Sequence, residues 1–536
     1  METLRQSMSW AHTWTGLLFG WVLYFMFVTG SAGYYDIEID RWMQPERTAV
    51  VDVSDPIPLI EAALERGQAE MPDAIEHMVF LPIDRASTPF IRLFMSGEDE
   101  EGKRTFEVLE LLADGTNAPE GRETAGGQTL YRLHWTFHYI PRVVGEVIAG
   151  LAAVFMFAAI ISGIITHKKI FTDFFTLRLS KGQRTWLDSH NVISVMTLPF
   201  QIMITFSGIL LVVTTFFMPI FVAQYGWGPD TVKTVEKEMF GRFTPVERSG
   251  EPAPPLDLRA MEAEFERQLP GESLNFMTVY NPGDATASVR LNGAVADGIL
   301  RMSPNVKFEA ATGEVTDVNP RRVEDSEDVA NILEGLHEGL FAGTILRILF
   351  FVSGLLGAGM IATGLVLWTK KRRQKLRGDM RAERNLVIIE RMNVGVVAGL
   401  AMAVAAFFYA NRLLPVGLAD RADWEMHVLF LTWLACILHS LVRRPEKGWT
   451  EQLAMTAGVF LFLPVLNALT SNLHLGNTLP LPGRPGELMM AGVDLWFIVI
   501  GLGFAYAARI SAKKQVDPRV ARRQKKQAVP VPAPAE

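Results

Sequence analysis

The chain has 536 residues, of which 49% are hydrophobic and 20% charged, and its formal net charge is −7. Its mean hydropathy of +0.19 is too high for an ordinary soluble enzyme, so membrane helices combined with sizeable polar domains are the simplest account. The acidic balance argues against a nucleic-acid partner, because phosphate binding needs a concentrated basic surface. A single cysteine excludes an intrachain disulfide, a cysteine-ligated iron–sulfur cluster and covalently attached c-type haem, so any metal or haem chemistry depends on the ten histidines.

Eight apolar stretches reach or approach the roughly 20 residues that a helix needs to cross a bilayer. They lie at residues 13–33, 144–166, 191–222, 342–369, 389–410, 425–442, 452–470 and 489–509. The first stretch partly resembles a signal peptide, but its apolar core is longer than usual, and we predict an uncleaved helix. The sequence therefore predicts an α-helical integral membrane protein with about eight transmembrane helices.

Lysine and arginine are concentrated in alternate loops, which by the positive-inside rule predicts that both termini are cytoplasmic. In a Gram-negative bacterium the protein would then lie in the inner membrane, with its two long loops in the periplasm. The predicted order is transmembrane helix 1 (1–35), a first periplasmic domain (36–141), transmembrane helices 2 and 3 with a basic cytoplasmic loop (142–222), a second periplasmic domain (223–341), transmembrane helix 4 (342–369), a basic cytoplasmic loop (370–388), transmembrane helices 5–8 (389–510) and a cytoplasmic tail (511–536).

Both long loops have the pattern of small α+β domains. Each begins with a helix-like segment, continues with segments of alternating hydrophobicity and includes a glycine turn, at Asp114-Gly115 or Thr312-Gly313. The shared order of elements predicts an internal duplication in which helices 1 and 2 with their domain correspond to helices 3 and 4 with theirs.

Histidines recur at matching places in the two predicted copies. His12 lies eighteen residues before Gly30, and His190 lies eighteen residues before Gly208. The helices after the two domains are entered through Leu-His pairs that contain His134 and His337, and both end in a Ser/Thr-Gly pair followed by basic residues. Parallel repeats are related by an axis along the membrane normal, so the copies of each histidine are expected to meet.

Under that symmetry His12 faces His190 at the cytoplasmic side, and His134 faces His337 at the outer side. Each pair can supply two neutral imidazoles to one iron, and haem b suits a helix end because its ring is apolar and its propionates are anionic. Gly16 and Gly20 follow His12 at intervals of four residues and would leave room for a flat macrocycle. Candidate propionate partners are Lys181 and Arg184 on the inside and Arg142 and Arg347 on the outside.

Two other histidines compete as ligands. His138 lies one helical turn from His134, and His167 lies near the cytoplasmic face without a partner in the repeat. Any one of these histidines alone is more simply explained as an interfacial residue, and only the two matched pairs favour iron ligation. The remaining histidines are expected to be structural or interfacial: His77, His427, His439 and His474.

The motifs HTWTGLLFG, YRLHW, GQRTWLDSHN and GLHEGLFAG, the later ATGLVLW, and the outer segments that end in LLADG and AATGEV resemble the PepSY-associated transmembrane family. Its members include inner-membrane ferric-siderophore reductases of the ferrioxamine type. The resemblance covers residues 8–380 and implies PepSY-like outer domains and two haems b, with His12, His134, His190 and His337 at the positions of the family's helix-end histidines. It also implies electron transfer from an unidentified cytoplasmic or quinol donor to a ferric siderophore.

Two other functions remain open at this point. The protein could be a haem b subunit that exchanges electrons with a quinone or a periplasmic oxidoreductase, or a non-enzymatic PepSY-domain sensor or protease regulator. Aromatic residues just outside helices 1 and 3 are candidates for a chelate-binding surface, with the aromatic belt of the membrane as the alternative: Tyr34, Tyr35, Trp42, Tyr225 and Trp227. The acidic outer loops suit cationic or neutral chelates better than anionic ones.

Overall fold

The computed structural model describes residues 3–47, 51–82, 89–98, 104–167, 183–212, 218–228, 234, 246–295, 298–320, 326–376, 379–479 and 488–516. The helices of the first half are α1 (Leu4–Leu18), α2 (Gly20–Ser31), α3 (Asp36–Met43), α4 (Pro56–Glu70), α5 (Gly126–Thr136) and α6 (Arg142–Thr166). Those of the second half are α7 (Gln183–Met196), α8 (Leu198–Leu211), α9 (Met218–Tyr225), α10 (Leu258–Gln268), α11 (Ser326–Glu338) and α12 (Thr344–Lys375). The chain continues with α13 (Met380–Leu413), α14 (Arg421–Val442), α15 (Pro445–Thr470), α16 (Leu475–Thr478) and α17 (Leu488–Val516).

Six helices among the described residues are long and apolar enough to cross a membrane, namely α6, α12, α13, α14, α15 and most of α17. Two further spans pass the same test only as bent pairs, one formed by α1 with residues 20–43 and one by α7 with α8. The protein is therefore a multi-pass membrane protein, and its six to eight candidate spans include the predicted number.

The predicted uninterrupted spans over 13–33 and 191–222 are both broken. The first bends by 63° at Phe19 and the second by 69° at Thr197, and each break lies seven residues after a histidine of the predicted repeat. Pro199 in the first turn of α8 lacks the backbone N–H that a continuous helix needs, which accounts for the second bend. Gly20, a poor residue for a helix interior, directly follows the first bend.

The helices of the two halves pack in the same pattern. Helix α1 packs on α6 as α7 packs on α12, and α2 packs on α5 as α8 packs on α11. Helices of opposite halves also contact each other, since α2 contacts α12 and α8 contacts α6. Each half therefore supplies equivalent helices to one shared interface.

Among the described residues, seven strands form one antiparallel sheet outside the helical bundle, in the order β3-β2-β1-β4-β5-β6-β7. The strands are β1 (Glu76–Phe80), β2 (Ile91–Glu98), β3 (Arg104–Leu111), β4 (Leu274–Tyr280), β5 (Ser288–Gly293), β6 (Asn305–Glu309) and β7 (Val315–Asn319). The two long loops supply three and four strands, and β1 pairs with β4 from Glu76 opposite Tyr280 to Phe80 opposite Phe276. Two separate domains were predicted, but their strands join in a single sheet.

One face of this sheet is buried because its strands alternate in hydrophobicity. Leu93 and Met95 on β2 point into a core shared with residues of α4 and α10, whereas Arg92 and Phe94, which alternate with them along the strand, lie on the half-exposed opposite face. We refer to the end of the helical bundle nearest this sheet as the sheet side.

The four long helices α13, α14, α15 and α17 form a second bundle beside the first. Helix α13 is its centre, with most of its apolar stretch buried, and it packs on α14, α15 and α12. The main contacts of this bundle with the preceding part of the chain are made through α2, α3 and α12.

His77 on β1 is fully buried in the sheet core, beneath α4. A Cβ atom on Gly67 of α4 would lie 3.0 Å from its ring. Burial lowers the pKa of His77 to about 4; the backbone of Met71 opposes this shift, and nearby Arg248 adds to it. The folded sheet therefore holds this imidazole in its neutral form.

We expect the sheet to lose about 3 kcal/mol of stability as the pH falls from 6.5 to 4, because His77 takes up a proton in this range only when its surroundings open. Above pH 6.5 this contribution is fully present. Amide hydrogen exchange of β1 and β2, corrected for the intrinsic pH dependence, measures the loss. In His77→Leu this pH-dependent component should disappear, and an unchanged pH dependence in that variant would contradict the assignment.

Candidate cofactor-binding site

His12 and His190 face each other at the end of the bundle away from the sheet. They lie on α1 and α7, and their ring centroids are 6.2 Å apart with the ring planes at 65°. The breaks after Phe19 and at Thr197 tilt these two helical segments relative to α2 and α8. The predicted meeting of these two histidines is thus present in the fold.

His134 and His337 form the equivalent pair at the sheet side. They lie in the last turns of α5 and α11, with ring centroids 6.5 Å apart and ring planes at 20°. The two histidine pairs therefore have nearly the same separation but different ring orientations.

In the pair away from the sheet, a backbone carbonyl fixes each ring. The Nδ1 atom of His12 lies 2.8 Å from the carbonyl oxygen of Ala159 on α6, and that of His190 lies 2.8 Å from the carbonyl oxygen of Met360 on α12. A carbonyl can only accept, so Nδ1 carries the proton and Nε2 is left with a free lone pair. This tautomer is the one in which a histidine ligates a metal through Nε2.

The pair at the sheet side has the same tautomer through different acceptors. His134 Nδ1 lies 2.5 Å from the carbonyl oxygen of Tyr131, and His337 Nδ1 lies 2.9 Å from the hydroxyl of Ser207. That hydroxyl donates to the carbonyl of Met203, which leaves its lone pairs for the Nδ1–H of His337, and the backbone carbonyl of Ile204 also accepts from this imidazole. No described residue forms a hydrogen bond with Nε2 in any of the four histidines.

Glycines of the recurring Ser/Thr-Gly pairs lie directly against the four rings. A Cβ atom on Gly163 would lie 3.1 Å from the His12 ring, and one on Gly364 would lie 3.2 Å from the His190 ring. Ser162 and Thr363, which precede these glycines, donate to the same two carbonyls that hold the Nδ1 protons.

The sheet-side pair is supported in the same way. A Cβ atom on Gly30 would lie 3.3 Å from the His134 ring, and one on Gly208 would lie 3.1 Å from the His337 ring. Each glycine therefore lets an imidazole approach a neighbouring helix backbone more closely than any larger residue would allow.

The separations suit one iron between each pair of rings. An iron–nitrogen bond of about 2 Å, and roughly 1 Å from that nitrogen to the ring centre, place two axial imidazole centroids about 6 Å apart. The described residues contain no group of three or more His, Cys, Asp or Glu side chains arranged to hold a metal ion. Paired histidines with free Nε2 atoms are compatible with haem, whose macrocycle supplies the other iron ligands.

The predicted glycine stripe below His12 is only partly suited to a macrocycle. Gly16 has open space around the position of a Cβ atom, as the prediction requires. Gly20 instead packs against Leu365 of α12, which would lie 2.8 Å from a Cβ atom. Gly20 therefore serves helix packing.

The alternative ligand His138 does not join the sheet-side pair. Helix α5 ends at Thr136, and Phe137 and His138 adopt left-handed backbone angles, with φ of 57° and 62°. His138 consequently stacks on Phe430 of α14 at 6.0 Å. The prediction that it shares a helix face with His134 is wrong because the helix stops between them.

His167 remains close to the pair away from the sheet. It caps the C-terminus of α6 and interacts electrostatically with both His12 and His190. Its ring is not in a facing pair with either histidine among the described contacts.

The candidate propionate partners differ in their surroundings. Arg347 forms a buried 2.6 Å ion pair with Glu38 and lies 5.1 Å from the ring of Tyr35. Arg142 is exposed and pairs with Glu146 at 2.7 Å. Arg184 is exposed, and Lys181 lies outside the described residues.

The proposed aromatic surface is not available as predicted. Tyr34 is buried and its hydroxyl donates to the backbone carbonyl of His337, while Trp42 is completely buried. Tyr35 packs against Phe351 and Trp496 of the bundle. Of the five predicted side chains, only Tyr225 and Trp227 are exposed, because residues 34–43 turn inward to pack on α5 and α17 instead of lying on the surface.

The other histidines lie away from both pairs. His427 contacts the Tyr139 hydroxyl at 2.6 Å, and His439 lies 3.2 Å from a carboxylate oxygen of Glu451. His474 accepts from the backbone of Gly476 at the start of a short helix. These contacts agree with the structural role expected for them.

A model of the PepSY-associated TM region matches residues 9–371, which is more than half of the chain and ends within α12. No curated protein matches the sequence.

Gly163→Val should destabilise the contact between α1 and α6, because the added carbons overlap the His12 ring and overpacking commonly costs about 1–3 kcal/mol. The melting temperature of the purified protein should fall. Gly458→Val on α15 is the matched control, since no atom lies within 4 Å of its Cβ position. An equal fall in melting temperature in both variants would show that Gly163 is not needed to accommodate the His12 ring.

Proposed function

The chain belongs to the PepSY-associated transmembrane family, and we propose that it is a di-haem b reductase that passes electrons across a bacterial inner membrane to a periplasmic ferric siderophore. The observation that carries this proposal is the pair of facing imidazoles at each end of the same bundle, with centroids 6.2 Å and 6.5 Å apart. His12 and His190 would hold the haem away from the sheet, and His134 and His337 the haem beside it.

The positions of the pairs suit transfer across a membrane. His12 and Gly30 are eighteen residues apart on the bent helix α1–α2, and Gly30 lies against His134. The path along this helix is at most roughly 27 Å, close to the hydrocarbon thickness of about 30 Å. Two redox centres would divide this crossing into shorter electron transfers.

Bound haem b supplies a one-electron iron(III)/iron(II) couple at each site. Each Nδ1–H donates to a fixed acceptor, so Nε2 stays unprotonated and would be the atom that binds the iron. Siderophores bind iron(III) far better than iron(II), so one electron delivered to the chelate weakens its hold on the metal. The reduced iron can then leave.

We also propose an internal duplication, with the sheet in the periplasm and both termini in the cytoplasm. The matched packing of α1 on α6 and α7 on α12 supports it, as does the recurrence of a glycine against each histidine. The strands of both PepSY-like halves would then form one periplasmic sheet over the second histidine pair.

Reoxidation kinetics test the function. The dithionite-reduced protein, in proteoliposomes, should be reoxidised rapidly by a ferric siderophore and not by its redox-inert gallium complex. Reoxidation by a quinone but not by the ferric chelate would favour the electron-transfer subunit. A purified protein without Soret and α-bands would contradict both redox functions and leave the sensor or protease regulator.

Ligand substitutions test the sites. His12→Ala or His190→Ala should each lower the haem content from two to one per chain, and His134→Ala or His337→Ala should remove the other haem. Because the ring planes meet at 65° in one pair and 20° in the other, electron paramagnetic resonance identifies which haem is lost.

The control variants are His138→Ala and His167→Ala, which should retain two haems. Loss of one haem in His167→Ala, with full content in His12→Ala, would transfer the ligand role to His167.

Ser207→Ala should raise the midpoint potential of the sheet-side haem by roughly 40 mV, because it removes about 1 kcal/mol of hydrogen bonding that makes His337 a more basic ligand. Ser194→Ala is the matched control, since among the described contacts that hydroxyl donates to the backbone carbonyl of His190 and does not touch its ring. A redox titration in which both variants resemble the wild type would contradict this role.

A further inference from the structure

Polar side chains are buried at the sheet-side ends of the helices that follow the family match. They lie on α13, α14, α15 and α17, and we call them the polar cluster: Asn411, Arg412, Arg421, Glu425, Asn467 and Asp494. Five of the six have no exposed surface and Arg412 has 6%. Burying charged groups is costly unless they are paired and hydrogen-bonded, so their partners reveal what the cluster does.

Arg421 and Glu425 form an ion pair with 2.5 Å between Nη1 and Oε1, inside the first turns of α14. Arg421 also donates to the backbone carbonyls of Glu123 and Asn411, at 2.7 Å and 2.5 Å. The pair therefore connects α14 to the end of α13 and to the segment before α5.

Glu425 binds the N-terminus of α5 directly. Its Oε2 atom accepts from the backbone N–H of Ala125 at 2.9 Å and from the hydroxyl of Thr124 at 2.7 Å. Ala125 is the N-cap residue of α5, where free backbone N–H groups and the helix dipole favour a carboxylate. His134 follows nine residues later on the same helix, so a displacement of this end moves the His134 ring.

The cluster also holds α3, the neighbour of α5. Arg412 donates to the carbonyl of Trp42 at 2.5 Å and covers its ring at 3.7 Å, while Asn411 donates to the carbonyl of Met43 at 3.1 Å. The Trp42 indole in turn donates to Asp494 at 3.0 Å. These hydrogen bonds attach the C-terminal end of α3 to the second bundle.

Helix α3, which the second bundle holds in this way, is hydrogen-bonded in turn to α5. Asp40 accepts from the backbone N–H of Gly127 at 2.7 Å, and Asp36 accepts from the Gln128 side chain at 2.6 Å. The first turn of α5 is thus held from two sides, by Glu425 and by α3.

The second bundle contacts the two halves of the protein unequally. The second bundle makes its main contacts with α2, α3 and α12, and α11, which carries His337, is not among these contacts of the described residues. Within the described part of the chain, the hydrogen bonds from the additional helices reach the segment that leads into α5, the helix of His134.

We propose that the helices beyond the family match position the sheet-side redox site, with Arg421 and Glu425 as positioning residues that hold α5 and thereby His134 opposite His337. This inference rests on the proposed function for its haem, but the anchoring of α5 does not depend on haem. It assigns α13–α17 a role in one of the two sites.

The experiment compares two double substitutions in a His12→Ala background, which retains only the sheet-side haem. Arg421→Met with Glu425→Leu removes both charges together, so that no unpaired buried charge is left and folding is retained. Arg373→Met with Glu390→Leu is the matched control, since this ion pair joins α12 to α13 towards the other end of the bundle.

Haem transfer to apomyoglobin should become roughly 10- to 100-fold faster in the first double variant and change less than twofold in the control. Thr124→Val, which removes one of the hydrogen bonds to Glu425, should increase the rate of haem transfer by a smaller factor. This variant replaces the double variant as the test if the latter does not fold. Unchanged transfer rates in a folded variant would overturn the inference.

Amide hydrogen exchange separates this inference from the proposed function. In the full chain, the first double variant should increase exchange in the first turns of α5 but not in α11, whether or not haem is bound. A wild-type protein without haem would contradict the proposed function alone. Unchanged protection of α5 would contradict the anchoring alone.

Discussion

The hydrogen bond from each histidine Nδ1 to a fixed acceptor is the interaction on which the two paired sites depend. In the pair away from the sheet the acceptors are carbonyls one helical turn before Gly163 and Gly364. The glycine lets the ring reach the carbonyl, the carbonyl sets the tautomer, and the tautomer leaves Nε2 free for a ligand. Local backbone geometry thus sets the tautomer of each imidazole through one hydrogen bond.

The two sites are equivalent in plan but differ in their surroundings. One pair is held by two backbone carbonyls, whereas in the other pair the Ser207 hydroxyl joins the carbonyls of Tyr131 and Ile204 as a partner of the rings. The sheet-side pair is also the one whose helix α5 is bound by the polar cluster. Hydrogen bonding to the ligands and burial tune the potential of a haem, so in the proposed di-haem reductase this asymmetry would give the two haems different potentials.

The sequence predicted which histidines meet, because two helix pairs with the same pattern and the same direction are expected to bring equivalent residues together. It did not reveal the bends, which depend on local geometry around Phe19 and Thr197, or the joining of β1 with β4, whose residues are about 200 positions apart. The Ser/Thr-Gly pairs were visible, but only the fold shows that they support the rings. Arg421 and Glu425 resemble an ordinary surface pair at a helix start, and their burial depends entirely on tertiary packing.

In the proposed function, each facing pair of imidazoles holds one haem b. The most direct measurement is the haem-to-protein ratio of the purified chain, determined by pyridine haemochrome together with quantitative amino-acid analysis. We expect two non-covalent haems b per chain, with low-spin spectra in both oxidation states. A ratio near zero in protein expressed with ample haem, and with its fold intact, would contradict it.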